Sequence, residues 1–299
     1  MKKILLLVMG VIFTVAIFPA EERRYGIPRV ARAEENLTLG EKVYRENCAA
    51  CHGEKGDGRG PEADRLKTKP RDFTMGIYKF RSTPSGSLPL DDDVLRTISR
   101  GVRGTSMLAQ RHLSEEERWA VTAYIKTFST RFNNKKVLQA LPIPAKPYTS
   151  AELVARGKSI YREAGCGQCH GPAGKADGAS AKDLRDDLGK PISPTDLTQK
   201  PFKSGPDPED HYRTISTGLS GTPMPSYGDV LTPDERWSVV SYIFSIATRE
   251  RPRGMMGLVG EETEGTRIDM RAAMAGMMGS GGGMMNRDRN DTMKDMMRK

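Results

Sequence analysis

Two stretches of this chain carry nearly the same order of apolar and polar positions. Residues 113–125 read LSEEERWAVTAYI and residues 231–243 read LTPDERWSVVSYI. Trp119, Ala123 and Tyr124, and again Trp237, Ser241 and Tyr242, are spaced for one face of a helix. The helix starts are written into the chain. Leu113 precedes Ser114 as N-cap with Glu117 three residues on, and Leu231, Thr232, Pro233 and Glu235 repeat that box with a proline in the first turn. A middle helix is predicted over about 91–99 and again over about 208–216. The segments between are rich in Gly and Pro and read as loops. No run alternates in the manner of a strand, so the expectation is an all-α fold.

The likeness of the two stretches extends across each half of the chain. GEKVYRENCAACH (40–52) matches GKSIYREAGCGQCH (157–170), and LRTISRGVRGTSM (95–107) matches YRTISTGLSGTPM (212–224). Gly40, Tyr44 and Arg45 fall on Gly157, Tyr161 and Arg162. One inserted residue then brings Cys48, Cys51 and His52 onto Cys166, Cys169 and His170. Such self-similarity marks two homologous modules, placed at 34–132 and 150–248. The linker 133–149, with Pro142, Pro144 and Pro147, has the composition of a semi-rigid extended spacer. Modules of this size with three or four short helices and long loops have thin cores, so something besides side chains is expected at their centres.

Both ends differ from the modules. Residues 1–33 open with Lys2 and Lys3 and an apolar run from Ile4 to Phe18, and Ala31-Arg32-Ala33 offers a cleavage site. This is the pattern of an export signal, or of an uncleaved membrane anchor, and it directs the rest of the chain to the periplasm or beyond. Residues 249–299 hold 11 of the 16 Met and a Gly-rich run, and read as a disordered tail. Met270, Met274, Met277 and Met278 have helical spacing suited to docking a partner, and the pairs Met255–Met256 and Met284–Met285 are candidate Cu(I) ligands.

Charge then falls into place. The 299 residues carry a formal +9, but residues 1–33 contribute +4 and residues 249–299 contribute +2. The modules and linker keep only +3, and nucleic-acid binding loses its electrostatic basis.

The chemistry is concentrated in four cysteines. All of them lie in two copies of Cys-x-x-Cys-His: Cys48, Cys51, His52 and Cys166, Cys169, His170. This is the attachment signal for c-type haem, two thiols for the two vinyl groups and a histidine for the iron. A zinc site needs a fourth ligand, a redox dithiol has no use for the following histidine, and two short disulfides leave both histidines unexplained. Outside leader and tail only Met75, Met107 and Met224 remain. Met107 and Met224 sit at matching points, in Gly-Thr-Ser-Met and Gly-Thr-Pro-Met, and are the expected distal ligands, giving His/Met iron. Met75 has no counterpart and is assigned to core packing. His112 and His211 match Val230 and Val94, are not duplicated, and are assigned to surface or cap positions.

With CAACH, CGQCH and the two Gly-Thr-x-Met loops, each module resembles a class I cytochrome c of the di-haem, cytochrome c4-like kind, and resembles the modules of subunit III of cbb3-type oxidases. The resemblance implies two tandem domains, each a few helices wrapped around a covalent haem, with the first and last helices crossing at Gly40 and at Gly157. It also implies a loop carbonyl orienting the proximal histidine, with Pro61 the candidate in the first module, whereas the second module departs from the pattern with Ala179 at that position. Lys79-Phe80-Arg81-Ser82 and Phe202-Lys203-Ser204 are candidates to lie beside the haem propionates. The expected role is electron transfer between redox partner proteins, with no catalytic residues. The alternatives are an electron-transfer subunit of a larger dehydrogenase or reductase complex, and a di-haem peroxidase.

Overall fold

The computed structural model describes residues 29–133 and 137–250. The expectations for the leader and the Met-rich tail fall almost wholly outside these residues. Among the described residues eight helices run in order: α1 (Arg29–Asn47), α2 (Ala49–His52), α3 (Asp91–Arg100), α4 (Glu115–Thr127), α5 (Ala151–Glu163), α6 (Cys166–His170), α7 (Pro208–Thr217) and α8 (Pro233–Ile246). Short 3-10 turns stand at Ala63–Arg65 and Thr130–Asn133. The expected absence of strands has one small exception. Gln199–Lys200 (β1) pairs in parallel with Arg249–Glu250 (β2), which fastens the chain beyond α8 back onto the second module.

Each half is built on one helix crossing. α1 packs on α4 and α5 packs on α8, and both crossings are made possible by glycine. A Cβ on Gly40 would collide with the carbonyl of Ala120, and one on Gly157 with the carbonyl of Ser238. The last helices begin at the predicted boxes. Ser114 Oγ accepts from the Glu117 amide at 3.1 Å while the Glu117 carboxylate accepts from the Ser114 amide at 2.7 Å. Thr232 and Glu235 make the same reciprocal pair at 3.3 and 2.8 Å. These bonds satisfy amides that the first helical turn leaves without partners.

Two separate cores result. Val43, Tyr44, Phe73, Tyr78, Val94, Ile98, Val121 and Ile125 form the first. Ile160, Tyr161, Phe202, Tyr212, Ile215, Trp237, Val240 and Ile243 form the second. The predicted apolar stripe holds on α8, where Trp237, Ser241 and Tyr242 are all buried. On α4 it is displaced: Ala120, Val121, Thr122 and Ile125 are buried and Trp119 is 39% exposed.

The linker is pinned to both halves. The Leu141 amide donates to Ser82 O at 2.8 Å, and Trp237 Nε1 donates to Pro144 O at 3.2 Å. The two halves also touch directly. Arg81, 1% exposed, donates through Nη2 to Thr217 O at 2.7 Å. Arg100 Nη1 reaches Asp210 Oδ2 at 3.1 Å.

Candidate haem-binding sites

Each Cys-x-x-Cys-His motif forms a short helix that follows directly on the long helix before it. The Cys48 amide donates to Tyr44 O at 2.8 Å and the His52 amide to Cys48 O at 2.9 Å. The motif ends in a glycine with left-handed φ, Gly53 at +78° and Gly171 at +82°, a conformation that other residues reach only with strain. Tyr44 Oη donates to Gly53 O at 2.7 Å and Tyr161 Oη to Gly171 O at 2.8 Å, so a buried tyrosine clamps the exit of each motif. This role was not foreseen, although both tyrosines stand among the repeated residues.

The chemistry of the six motif residues fits covalent haem better than its rivals. All four cysteines are half-buried free thiols with no disulfide between them. Burial pushes the Cys48 thiol up to about 12, with Cys51 adding to it, and burial also raises Cys166. A redox dithiol needs the opposite, a stabilised thiolate. Among the described residues no group of three or more His, Cys, Asp and Glu converges as a bare metal site would require.

The two histidines are held alike. His52 Nδ1 bonds Arg71 O and His170 Nδ1 bonds Thr195 O, both at 3.0 Å. Donation from Nδ1 to a carbonyl leaves the Nε2 lone pair available to a metal. Burial lowers the pKa of both rings and favours the neutral form that ligation uses. The acceptors are therefore Arg71 and Thr195, and the expected Pro61 is exposed, as is Ala179 at the matching position of the second module.

Met107 and Met224 lie half-buried in loops of one design. The Val102 amide donates to Met107 O at 2.8 Å and the Leu219 amide to Met224 O at 3.1 Å. Inside each loop the threonine hydroxyl works twice. Thr105 Oγ1 donates to Val102 O at 2.7 Å and accepts from the Met107 amide at 3.1 Å. Thr222 repeats this with Leu219 O and the Met224 amide at 2.7 and 3.2 Å. The threonine of Gly-Thr-x-Met thus shapes the loop that presents the sulfur.

Two other placements differ from expectation. Met75 is 40% exposed and fills no core. His211 is buried at 6% exposure, packed edge-on against Phe202 at 4.1 Å and Phe244 at 5.2 Å, and burial pushes its pKa down to about 4. It is a core residue of the second module. His112 is on the surface as expected, its Nε2 3.0 Å from Asn47 Oδ1.

Two further features fit a group that is apolar in body and carries carboxylates. His52 stacks on Phe73 at 4.5 Å and Phe73 on Tyr78 at 6.0 Å. The Tyr78 hydroxyl at the end of that row is buried without a protein partner, an arrangement that costs free energy unless something else accepts its proton. Between the modules lies a cavity of about 230 Å³ whose described lining includes Lys79, Arg81, Arg96, Arg100, Arg103, Arg111, Lys203 and Arg213 together with Asp207 and Asp210, while Arg96 also pairs with Asp93. Burial, with Arg71 and Lys203 nearby, pushes Lys79 down to about 8. Carboxylates brought there by a ligand would offset this concentration of cations.

Comparisons with known proteins point to the same class of cofactor. The family model "Cytochrome C oxidase, cbb3-type, subunit III" matches twice, over 35–125 and 152–243. The cbb3-type cytochrome c oxidase subunit CcoP of Azospirillum sp. is 27% identical over 220 residues, 69% of this chain and 61% of that protein. The corresponding subunit FixP of Sinorhizobium medicae is 30% identical over 112 residues, 35% of this chain and 34% of that one. The chain thus spans between a third and three fifths of the length of these curated relatives. Among solved structures, a chain of the reducing HAO-like protein complex of Kuenenia stuttgartiensis has a TM-score of 0.69 at 43% identity, over 70% of this chain and 96% of that chain. The matched family is one of c-type cytochromes, and its two matched segments correspond to two c-type haems. Because the family model covers both modules and more than half of the sequence, the chain belongs to the cbb3-type cytochrome c oxidase subunit III family.

Proposed function

We propose that the chain relays electrons between redox partner proteins through two haems. Cys48 and Cys51 would hold one and Cys166 and Cys169 the other, with His52 and Met107, and His170 and Met224, as axial ligands. Held by protein groups on both sides, such a haem would supply one-electron exchange and leave no site open to a substrate. The residues of the chain do the positioning. The Arg71 and Thr195 carbonyls fix the ring orientation of the two histidines, Tyr44 and Tyr161 hold the motif turns, and Thr105 and Thr222 shape the methionine loops. The cations between the modules would bind the carboxylates.

The observation that carries this reading is the duplication of the whole ligand arrangement. A peroxidase needs one iron that opens, and both modules here have the same histidine bond and the same methionine loop. Optical spectra of the matured chain provide the test. The weak Met-to-iron charge-transfer band is expected at an amplitude of two haems, with half lost in Met107→Ala and half in Met224→Ala. A band and potentials that survive both substitutions would overturn the assignment.

The solved relative belongs to a multi-protein complex, which favours a subunit role. We infer that this chain delivers electrons to, or accepts them from, a catalytic partner outside the cytoplasm. No helix among the described residues is long and apolar enough to cross a membrane. Attachment to a membrane would therefore rest on the N-terminal apolar run or on the partner. Co-purification of an oxidoreductase after gentle extraction is the expected result, and a chain recovered alone in native extracts would favour a free carrier.

A further inference from the structure

Arg71 takes part in both modules at once. Its carbonyl is the acceptor for His52 Nδ1 in the first module, at 3.0 Å. Its guanidinium crosses to the second module and lies against Gly221, where a Cβ would stand 3.2 Å from Nη1 and equally close to Ile77 Cγ2. Gly221, at φ +80°, is the first residue of Gly-Thr-Pro-Met and opens the turn that ends at Met224.

The same loop organises the acids that face this cation. The Asp187 amide donates to Gly221 O at 3.3 Å. Asp186 and Asp187, together with Asp72, are the carboxylates whose field favours the charged guanidinium, against burial that disfavours it. Other cationic and phenolic groups nearby are Lys79 and Tyr78 from the first module. Arg71 thus lies against the Met224 loop and within the field of Asp186 and Asp187, the second of which the loop itself helps to place. A guanidinium keeps its charge in such surroundings and offers a rigid plane for packing.

The arrangement is one-sided. In the second module the corresponding carbonyl belongs to Thr195, whose short side chain has no comparable reach. We propose that Arg71 is a positioning residue that couples the two sites: through its backbone it holds His52, and through its guanidinium it seats the loop that presents Met224. The distal ligand of the second module then depends on the first module through Arg71, and Thr195 offers no such reach in the other direction. The proposal rests on the ligand assignment above.

The test uses the full chain carrying both haems, as Arg71→Ala, Arg71→Lys and, as a control, Arg45→Ala, which removes a cation from an exposed pair with Glu41. Alanine retains the carbonyl, so the His52 bond survives. In Arg71→Ala the axial-methyl resonance of Met224 in the reduced protein should shift or weaken while that of Met107 stays. The potential of the second haem should fall, because a neighbouring cation disfavours the oxidised iron. Amides of Leu219, Thr222 and Met224 should exchange several-fold faster. Arg71→Lys should restore the potential more fully than the loop protection, and Arg45→Ala should change nothing. Wild-type resonance, potential and exchange in Arg71→Ala would overturn the proposal, as would equal changes in both modules. If the wild type shows no Met224 resonance, the ligand assignment fails by itself. Amide exchange then decides the coupling: faster exchange in Arg71→Ala sustains it and unchanged exchange overturns it.

Discussion

Trp119 and Trp237 occupy matching places on α4 and α8, yet one is 39% exposed and the other 1%. The helices have the same capping box and the same glycine crossing. What differs is the chain that passes over them. The linker brings Pro144 O to Trp237 Nε1 and packs Ile143 onto the second core. Tyr212 adds a ring at 4.6 Å. Burial of an identical residue is therefore a property of its neighbours, and a repeat in sequence does not by itself make a repeat in energetics.

That contrast sets the largest expected effect. Trp237→Ala should destabilise the folded chain by about 3–5 kcal/mol, the usual cost of removing a large aromatic from a core, whereas Trp119→Ala should stay within about 0.5 kcal/mol. Thermal unfolding of the haem-loaded protein measures both, and equal losses would remove the contrast.

His211 sharpens the comparison through pH, because the first module has Val94 in its place. Burial holds the folded-state pKa near 4, below the ordinary 6.5. The folded chain therefore binds fewer protons here than the unfolded chain. Stability from this group is complete above about pH 6.5 and is lost as pH falls from there through about 4. The loss amounts to up to about 3 kcal/mol. His211→Phe should flatten this limb of the stability profile. An acid limb of the same slope in the variant would show that other groups cause it.

Arg81→Ala tests the seam between the modules. It strands the buried Thr217 carbonyl, at an expected cost of about 1–3 kcal/mol, and denaturant midpoints of the full chain should report it. Smallest are the caps, where Ser114→Ala and Thr232→Ala should each cost about 1 kcal/mol. Here the modules should agree, because both boxes have the same geometry.

Much of this architecture is legible in one sequence. The middle helices were expected over 91–99 and 208–216 and run over Asp91–Arg100 and Pro208–Thr217. Their signals are local: acidic residues in the first turn, a glycine at the stop and, in the second, a proline at the first position. The acceptors for His52 and His170 were not legible. A backbone carbonyl carries no side-chain signature, and the spacing from histidine to acceptor is 19 residues in one module and 25 in the other. Met75 and His211 were misplaced for a related reason. Their burial depends on which distant residues pack over them, such as Phe202 and Phe244 over His211, and spacing along the chain does not show this. The position of Arg71 over Gly221 spans a gap in sequence that no local rule covers.

The sequence by itself determined the helices, the duplicated motifs and the duplicated methionine loops. All of these depend on short-range spacing or on residue types with few conformational options. Only the tertiary structure decided which tryptophan is covered, which carbonyls hold the histidines, and how cations of both halves meet at one seam. Those outcomes depend on where loops without periodicity come to rest, and their positions are set by packing between distant segments.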